Sequence, residues 1–188
     1  PPRLRSQVLA SLHILGRGNF LDDICDRTRM SEPTIRRTFH QFCRCFARDL
    51  YAAHVHLPRA AALNKAMQKY DLLGFTGAVG STDVTHVKWD GCPYSQAREY
   101  SGKEGYPTIA YEVTVDHTGR VLAATKGFAG AQNDKTIIRY DAAATAVRED
   151  PEYKDRKFVL FNADGTMTTV KGAYLIVDNG YHKVRFLF

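Results

Sequence analysis

The chain of 188 residues has few cysteines and no long apolar run. Its four cysteines, Cys25, Cys43, Cys45 and Cys92, are too few for a disulfide scaffold and indicate reduced thiols of an intracellular protein. No stretch approaches the roughly 18 consecutive apolar residues that a membrane span needs. The first residues, Pro1–Ser6, have no signal-peptide core behind them, and the missing Met suggests a fragment or a processed form. We therefore expect neither a membrane protein nor a disulfide-rich secreted one.

Acidic residues are scarce in the first third of the chain. Residues 1–70 hold 12 Lys and Arg against 5 Asp and Glu, whereas residues 71–188 hold 14 against 15. The overall composition, 44% hydrophobic and 24% charged, is typical of folded soluble domains and disfavours wholesale disorder. A basic segment beside a near-neutral one favours contact between the first part and a polyanion, with a solvated basic face as the alternative.

Several familiar site patterns are also missing. The sequence contains neither a Gly-rich phosphate loop nor a Ser or Cys nucleophile motif, which disfavours a metabolic α/β enzyme. Cys43 and Cys45 would point to different sides of a helix, and His54, His56 and Cys92 have no zinc-ligand spacing. We therefore predict no zinc site.

The first 70 residues read as an all-helical unit. Leucines and Val8 recur at spacings of three and four over Leu4–Leu15 and predict one buried apolar stripe. A second helix is expected over residues 20–27, and Ser31 is a suitable N-cap for a third helix that begins at Glu32 and extends to residue 55. Residues 60–70 predict a short connecting helix, and glycines at 74, 77 and 80 place the domain boundary near 70–78.

Two helices joined by a short turn, the second one basic, have the layout of a helix-turn-helix. A helix that enters the major groove needs short polar side chains near its start to reach bases, and Arg or Lys to hold phosphates. The candidate DNA-binding residues are therefore Arg29, Glu32, Thr34, Arg36, Arg37, His40 and Arg44. The alternative is a three-helix packing unit with a charged face.

Residues 71–188 alternate in the manner of strands and predict an α/β domain. Strands are expected over 78–89, 108–116, 121–126 and 173–177, with a helix over 135–148 and a hairpin over 157–171. In the second strand the apolar set is Ile109, Tyr111, Val113 and Val115.

Three carboxylates stand where these elements meet. Asp83 lies within the first strand, Asp134 begins the helix, and Asp178 directly follows the last strand. An Asp in such a place is costly to bury unless it is paired, hydrogen-bonded or bound to a metal, and carboxylates at the strand ends of an α/β sheet suit Mg²⁺ or Mn²⁺. The alternatives are a helix N-cap for Asp134 and an Asx-turn for Asp178.

Four blocks in this order resemble PIF/Harbinger-type transposases. They are GFTGAVGSTDVTH at 74–86, GKEGYPTI at 102–109, GFAGAQND at 127–134 and YLIVDNGY at 174–181. The segment from Leu15 to Phe42 is similar to the helix-turn-helix of these proteins, closest to the plant-type and protist-type members.

The resemblance implies an RNase H-like DDE nuclease domain over 71–188, after a helix-turn-helix unit over 1–70. Asp83 and Asp178 would be catalytic carboxylates and metal ligands, and Asp134 a further metal ligand. The family's third catalytic acid, usually Glu, follows on a later helix, so with the chain ending at Phe188 the domain is expected to lack its C-terminal part. His86 favours a structural role, with contact to a substrate phosphate as the alternative, and Lys88, Lys103 and Lys126 could line the DNA path.

The expected function is that of a transposase or transposase-derived endonuclease that cleaves DNA by two-metal-ion catalysis. The resemblance implies double-stranded DNA as partner, at transposon ends and target site, together with a Myb-like partner protein, a homo-oligomeric active form and a nuclear location. The alternative is a domesticated or decayed DNA-binding protein without catalysis.

Overall fold

The computed structural model describes residues 4–178 and 181, and the chain divides into two compact units, residues 1–54 and 55–188. This division falls before the boundary expected near residue 70. The reason is that α4 (Ala60–Leu72) supplies the fully buried Leu63 to the core of the second unit instead of acting as a connector.

The first unit has three helices, α1 (Leu4–Arg17), α2 (Leu21–Thr28) and α3 (Glu32–His54). Their shared core consists of Ala10, Ile24, Met30 and Ile35. The predicted leucine stripe is wrong, because Leu4, Leu9, Leu12 and Leu15 are 47–73% exposed. A unit of this size covers only a narrow strip of α1, and small residues, Ala10 and Ser11, occupy that strip.

The turn between α2 and α3 is fixed by backbone hydrogen bonds. Arg29 adopts a left-handed conformation (φ 55°) and its N–H donates to the carbonyl of Cys25 over 2.8 Å, which ends α2. The carbonyl of Ser31 accepts from the N–H groups of Thr34 (2.9 Å) and Ile35 (3.0 Å), which begins α3 close to its predicted start. The turn therefore holds two helices at a defined junction.

A mixed sheet forms the second unit. Its strand order is β3 (Val121–Ala124), β2 (Thr108–Val115), β1 (Ala78–Lys88), β7 (Tyr174–Ile176), and the short β4 (Phe128–Ala129) also pairs with β2. The pairs β1–β2 and β2–β3 are antiparallel, whereas β7 runs parallel to β1. The expected α/β class is therefore confirmed.

Helices connect β4 to β7 and pack with α4 around the sheet. The helix expected over 135–148 is divided into α6 (Asp134–Ile137), a 3-10 turn (Ile138–Tyr140) and α7 (Ala142–Glu149). The break occurs because Asp141 caps α7, its Oδ1 accepting from the N–H of Ala144 over 2.6 Å. The core holds Leu63, Val79, Leu122, Val147, Tyr153 and Leu175.

The remaining elements are short or peripheral. α5 (Ala97–Tyr100), α8 (Pro151–Lys154) and β4 have two to four residues, too few for a periodic signal. The predicted hairpin is confirmed as β5 (Lys157–Phe161) paired with β6 (Met167–Lys171). Across residues 4–178 and 181, none of the helices is both long and apolar enough to cross a membrane.

Candidate functional site

Asp83 and Asp178 each follow one residue of a pair in the parallel strands β1 and β7. Ser81 of β1 pairs with Ile176 of β7, and each aspartate comes two positions after its paired residue, Asp83 within β1 and Asp178 beyond the end of β7. Both aspartates are exposed. Neighbouring strands lie about 4.8 Å apart, so the chain leads towards Asp178 from a residue paired with β1.

Asp83 points away from the buried side of β1. Its neighbours Thr82 and Val84 are buried, while Asp83 is exposed and its Oδ1 accepts from the N–H of Val84 over 2.8 Å. The expected cost of burying the Asp83 carboxylate therefore does not arise. Asp83 instead remains accessible to a substrate or a cation.

Asp134 has a different environment. It begins α6, but the capping side chain is that of Asn133, whose Oδ1 accepts from the N–H of Lys135 over 2.9 Å. Lys103 Nζ lies 3.9 Å from Asp134 Oδ2. Among residues 4–178 and 181, no three His, Cys, Asp or Glu side chains form a group that could hold a metal ion. Asp83, Asp134 and Asp178 are therefore not gathered into one such group.

Glu112 is a fully buried acid that the sequence analysis did not predict as a functional residue. Its carboxylate accepts hydrogen bonds from Thr82 Oγ1 (2.7 Å) and from the hydroxyl of Tyr181, which lies 3.0 Å from both carboxylate oxygens. Burial raises the pKa of Glu112 to about 7, against the two hydrogen bonds, which lower it. Burial also raises the pKa of Tyr181, and the nearby charges of Glu112, Asp134 and Asp83 act in the same direction.

A sequence signal for Glu112 exists in the second strand. The strand alternates apolar residues with the set Thr108, Ala110, Glu112 and Thr114, and it is this second set that is buried. The apolar set, which includes Val113 opposite Asp83, is only half-buried. The alternation itself therefore marks Glu112 as a member of one face of the strand, and the structure shows that this face is the buried one.

A polar pocket of about 200 Å³ lies beside Asp134, lined also by His86, Lys103, Gln132 and Asn133. His86 Nδ1 lies 2.9 Å from Thr108 Oγ1, a contact that fits the structural role favoured for this residue. His86 Nε2 is buried and has no hydrogen-bond partner within residues 4–178 and 181. Gly102 and Gly130 form part of the pocket wall. A larger residue does not fit at position 130, because its Cβ would collide with Thr108 Oγ1.

The other predicted lysines already have partners. Lys88 forms an ion pair with Asp90 over 2.6 Å, and Lys126 lies over the ring of Phe128, 5.7 Å from its centroid. Both contacts are at the surface, where such interactions are weak and a competing phosphate can replace them.

The basic face of α3 is exposed. Among the candidate DNA-binding residues Thr34 alone is half-buried, its hydroxyl 2.9 Å from that of Ser31, and the exposed ones are Arg29, Glu32, Arg36, Arg37, His40 and Arg44. Arg36 forms an ion pair with Glu32 one turn earlier. Arg37, His40 and Arg44 follow one another at helical spacing along one face.

Comparison with known proteins gives one match. Neither the curated proteins nor the solved structures include a match to this chain. The family model described as plant transposon protein matches residues 52–182, which include β1, β7 and all three aspartates. The chain therefore belongs to the plant transposon protein family.

Proposed function

We propose that this transposon protein is a transposase or transposase-derived endonuclease of the PIF/Harbinger type, with Asp83 and Asp178 as its catalytic carboxylates. The observation that carries the proposal is the parallel pairing of Ser81 with Ile176, each of which stands two residues before one of the aspartates. Family membership supports a transposase-related function, and such chemistry requires a pair of acids.

The arrangement of strands supports an RNase H-like domain. Three antiparallel strands are followed by helices and then by β7, which returns parallel to β1 at the open side of that strand. This connection pairs Ile176 at the end of β7 with Ser81 of β1, although 95 residues separate them in sequence. The pairing supports the proposal that the aspartates two positions further along act together.

The donor chemistry of this pair fits Mg²⁺ or Mn²⁺. Both ions prefer carboxylate and water oxygens, and Asp83 within β1 and Asp178 beyond the end of β7 are exposed carboxylates. Asp83 and Asp178 would hold the cation, whereas Asp134, the further ligand that the resemblance implies, has Lys103 as its charged neighbour. A bound divalent ion supplies a polarised water and stabilises the leaving oxygen in phosphodiester cleavage.

For the helical unit we propose binding of double-stranded DNA at transposon ends and target site. The turn at Arg29 and the exposed basic face of α3 support a helix-turn-helix, with base contacts near Glu32 and phosphate contacts from Arg37 and Arg44. A nuclear location, a homo-oligomeric active form and a Myb-like partner protein complete the proposal, since the resemblance implies them.

Iron-directed cleavage of the chain tests the proposed metal site. Fe²⁺ in place of Mg²⁺, with ascorbate and peroxide, cuts a backbone close to where the ion is bound. We expect cuts near residues 83 and 178 that excess Mg²⁺ suppresses and that Asp83→Asn removes. Asp164→Asn, which changes an exposed turn aspartate in the β5–β6 hairpin, is the matched control. DNA binding without any localised cut would favour the non-catalytic DNA-binding protein instead.

A further inference from the structure

We propose that Glu112 is a positioning residue for this site, because through Thr82 and Tyr181 it holds the segments that carry Asp83 and Asp178. The inference rests on the proposed function of those two aspartates. Glu112 is not one of the two proposed metal ligands, but it would fix the positions of Asp83 and Asp178.

The link to Asp178 runs through Tyr181. The backbone N–H of Tyr181 donates to the carbonyl of Asp178 over 3.3 Å, so Tyr181 is bonded directly to the residue that carries the proposed ligand. The Tyr181 side chain is 1% exposed, and its hydroxyl lies 3.0 Å from each Glu112 oxygen. Tyr181 therefore links Asp178 to β2.

The link to Asp83 runs through Thr82. Thr82 precedes Asp83 on β1, and its hydroxyl donates to Glu112 Oε1 over 2.7 Å. The same hydroxyl lies 3.3 Å from the carbonyl of Val113, the residue that pairs with Asp83. The Glu112 carboxylate thus contacts Thr82, the neighbour of Asp83, and Tyr181, which is hydrogen-bonded to Asp178.

A role in packing alone does not account for a carboxyl group here. Burying a carboxyl group costs free energy that burying an apolar side chain of similar size would not. The same face of β2 does carry a buried apolar residue, Ala110. What the carboxylate adds is directional: it accepts hydrogen bonds from two separate segments at once. The charges of Asp83 and Asp134 also raise the pKa of the Tyr181 hydroxyl. The hydrogen bond between Tyr181 and Glu112 is therefore close enough to these aspartates to interact with them electrostatically.

Tyr181→Phe is the main test, because it removes the hydroxyl and keeps the ring. Tyr153→Phe is the matched control, since Tyr153 is a fully buried tyrosine of the same unit whose hydroxyl donates to the carbonyl of Pro58 over 2.9 Å. Two readouts are taken on the full chain: amide hydrogen exchange of residues 174–181 and the affinity for Mn²⁺. Glu112→Gln, which retains an acceptor oxygen for Tyr181, serves as the conservative variant.

We expect Tyr181→Phe to speed exchange in residues 174–181 and to weaken Mn²⁺ binding, each by about tenfold, the factor that corresponds to loss of one net hydrogen bond of about 1.4 kcal/mol. Tyr153→Phe should leave both readouts within twofold of the unmodified chain, and Glu112→Gln within threefold. Equal behaviour of the two tyrosine variants, or unchanged exchange in Tyr181→Phe, overturns the proposal. If the unmodified chain binds no Mn²⁺, the proposed function fails, while the exchange comparison still decides whether Tyr181 fixes the segment.

Discussion

The hydroxyl of Tyr181 lies 3.0 Å from both carboxylate oxygens of Glu112, and both side chains are at most 1% exposed. The bond joins the chain that follows β7 to the middle of β2. It also places a carboxyl group whose pKa is about 7 in the interior of the second unit, where its ionisation affects the stability of the fold.

The first prediction concerns the pH dependence of this stability. Burial raises the folded-state pKa of Glu112 from 4.5 to about 7, so the folded chain holds the proton more tightly than the unfolded chain. The stabilisation is therefore fully present below about pH 4.5 and is lost as the pH rises through 7, by about 3 kcal/mol. Urea denaturation at pH 5 to 8 should show this fall in the unfolding free energy of the second unit.

Glu112→Gln should remove most of that fall, because the amide does not ionise. Glu104→Gln, at an exposed position, is the control and should keep the pH dependence of the unmodified chain. The remaining slope in Glu112→Gln would come from Asp141, whose pKa burial also raises. An unchanged slope in Glu112→Gln would show that Glu112 does not titrate in this range.

The second prediction tests whether α4 belongs to the sheet domain. Leu63 is fully buried in the core of the second unit, so Leu63→Ala should lower the unfolding free energy by about 2 to 5 kcal/mol. Trp89, the single tryptophan of the chain, lies in that unit and reports its unfolding by fluorescence. The control Leu72→Ala, at a residue 76% exposed on the same helix, should leave the Trp89 transition in place. A Trp89 transition that Leu63→Ala does not move would make α4 a connector after all.

How much of this fold the sequence predicts depends on the length of each element. The hydropathy pattern repeats several times along two long elements, the strand Ala78–Lys88 and the helix Glu32–His54, so it predicts their type and approximate bounds. The β5–β6 hairpin is predicted by the Gly at its turn. The two-residue β4 carries no period at all. The parallel pairing of β7 with β1 depends on contacts between residues about 95 positions apart, which no local pattern contains.

The burial of particular side chains was harder to predict than the elements themselves. The leucines of α1 have the right spacing for a core, yet the small residues Ala10 and Ser11 face it, because the three helices are in close contact there. In β2 the buried set is Thr108, Ala110, Glu112 and Thr114, and the sequence analysis named only the apolar set of that strand. Hydropathy alone does not identify a buried acid whose partners, Thr82 and Tyr181, come from distant parts of the chain.

The third prediction concerns DNA binding by α3. Arg37→Gln should weaken binding to duplex DNA and reduce the slope of log affinity against log salt by about 1, since one phosphate contact is lost. Fluorescence anisotropy of a labelled duplex at 50 to 200 mM salt measures both effects. Arg139→Gln, which removes the same charge from an exposed position in the second unit, is the control. Equal losses in the two variants would mean that net charge, rather than the face of α3, governs binding.

The fourth prediction is that one substitution in α3 strengthens DNA binding. Glu32 forms an ion pair with Arg36, so Glu32→Gln should release that guanidinium for a phosphate and strengthen non-specific DNA binding. The same anisotropy titration measures the change, with Glu104→Gln as the control for loss of one negative charge. Weaker binding in Glu32→Gln would assign Glu32 a direct contact with a base.

Calorimetric titration with Mn²⁺ shows whether Asp83 and Asp178 together hold a divalent metal. We expect Mn²⁺ binding by the unmodified chain that is lost in both Asp83→Asn and Asp178→Asn and retained in Asp164→Asn. Binding that survives in either site variant, or that Asp164→Asn reduces equally, would contradict the assignment of this pair as a metal site.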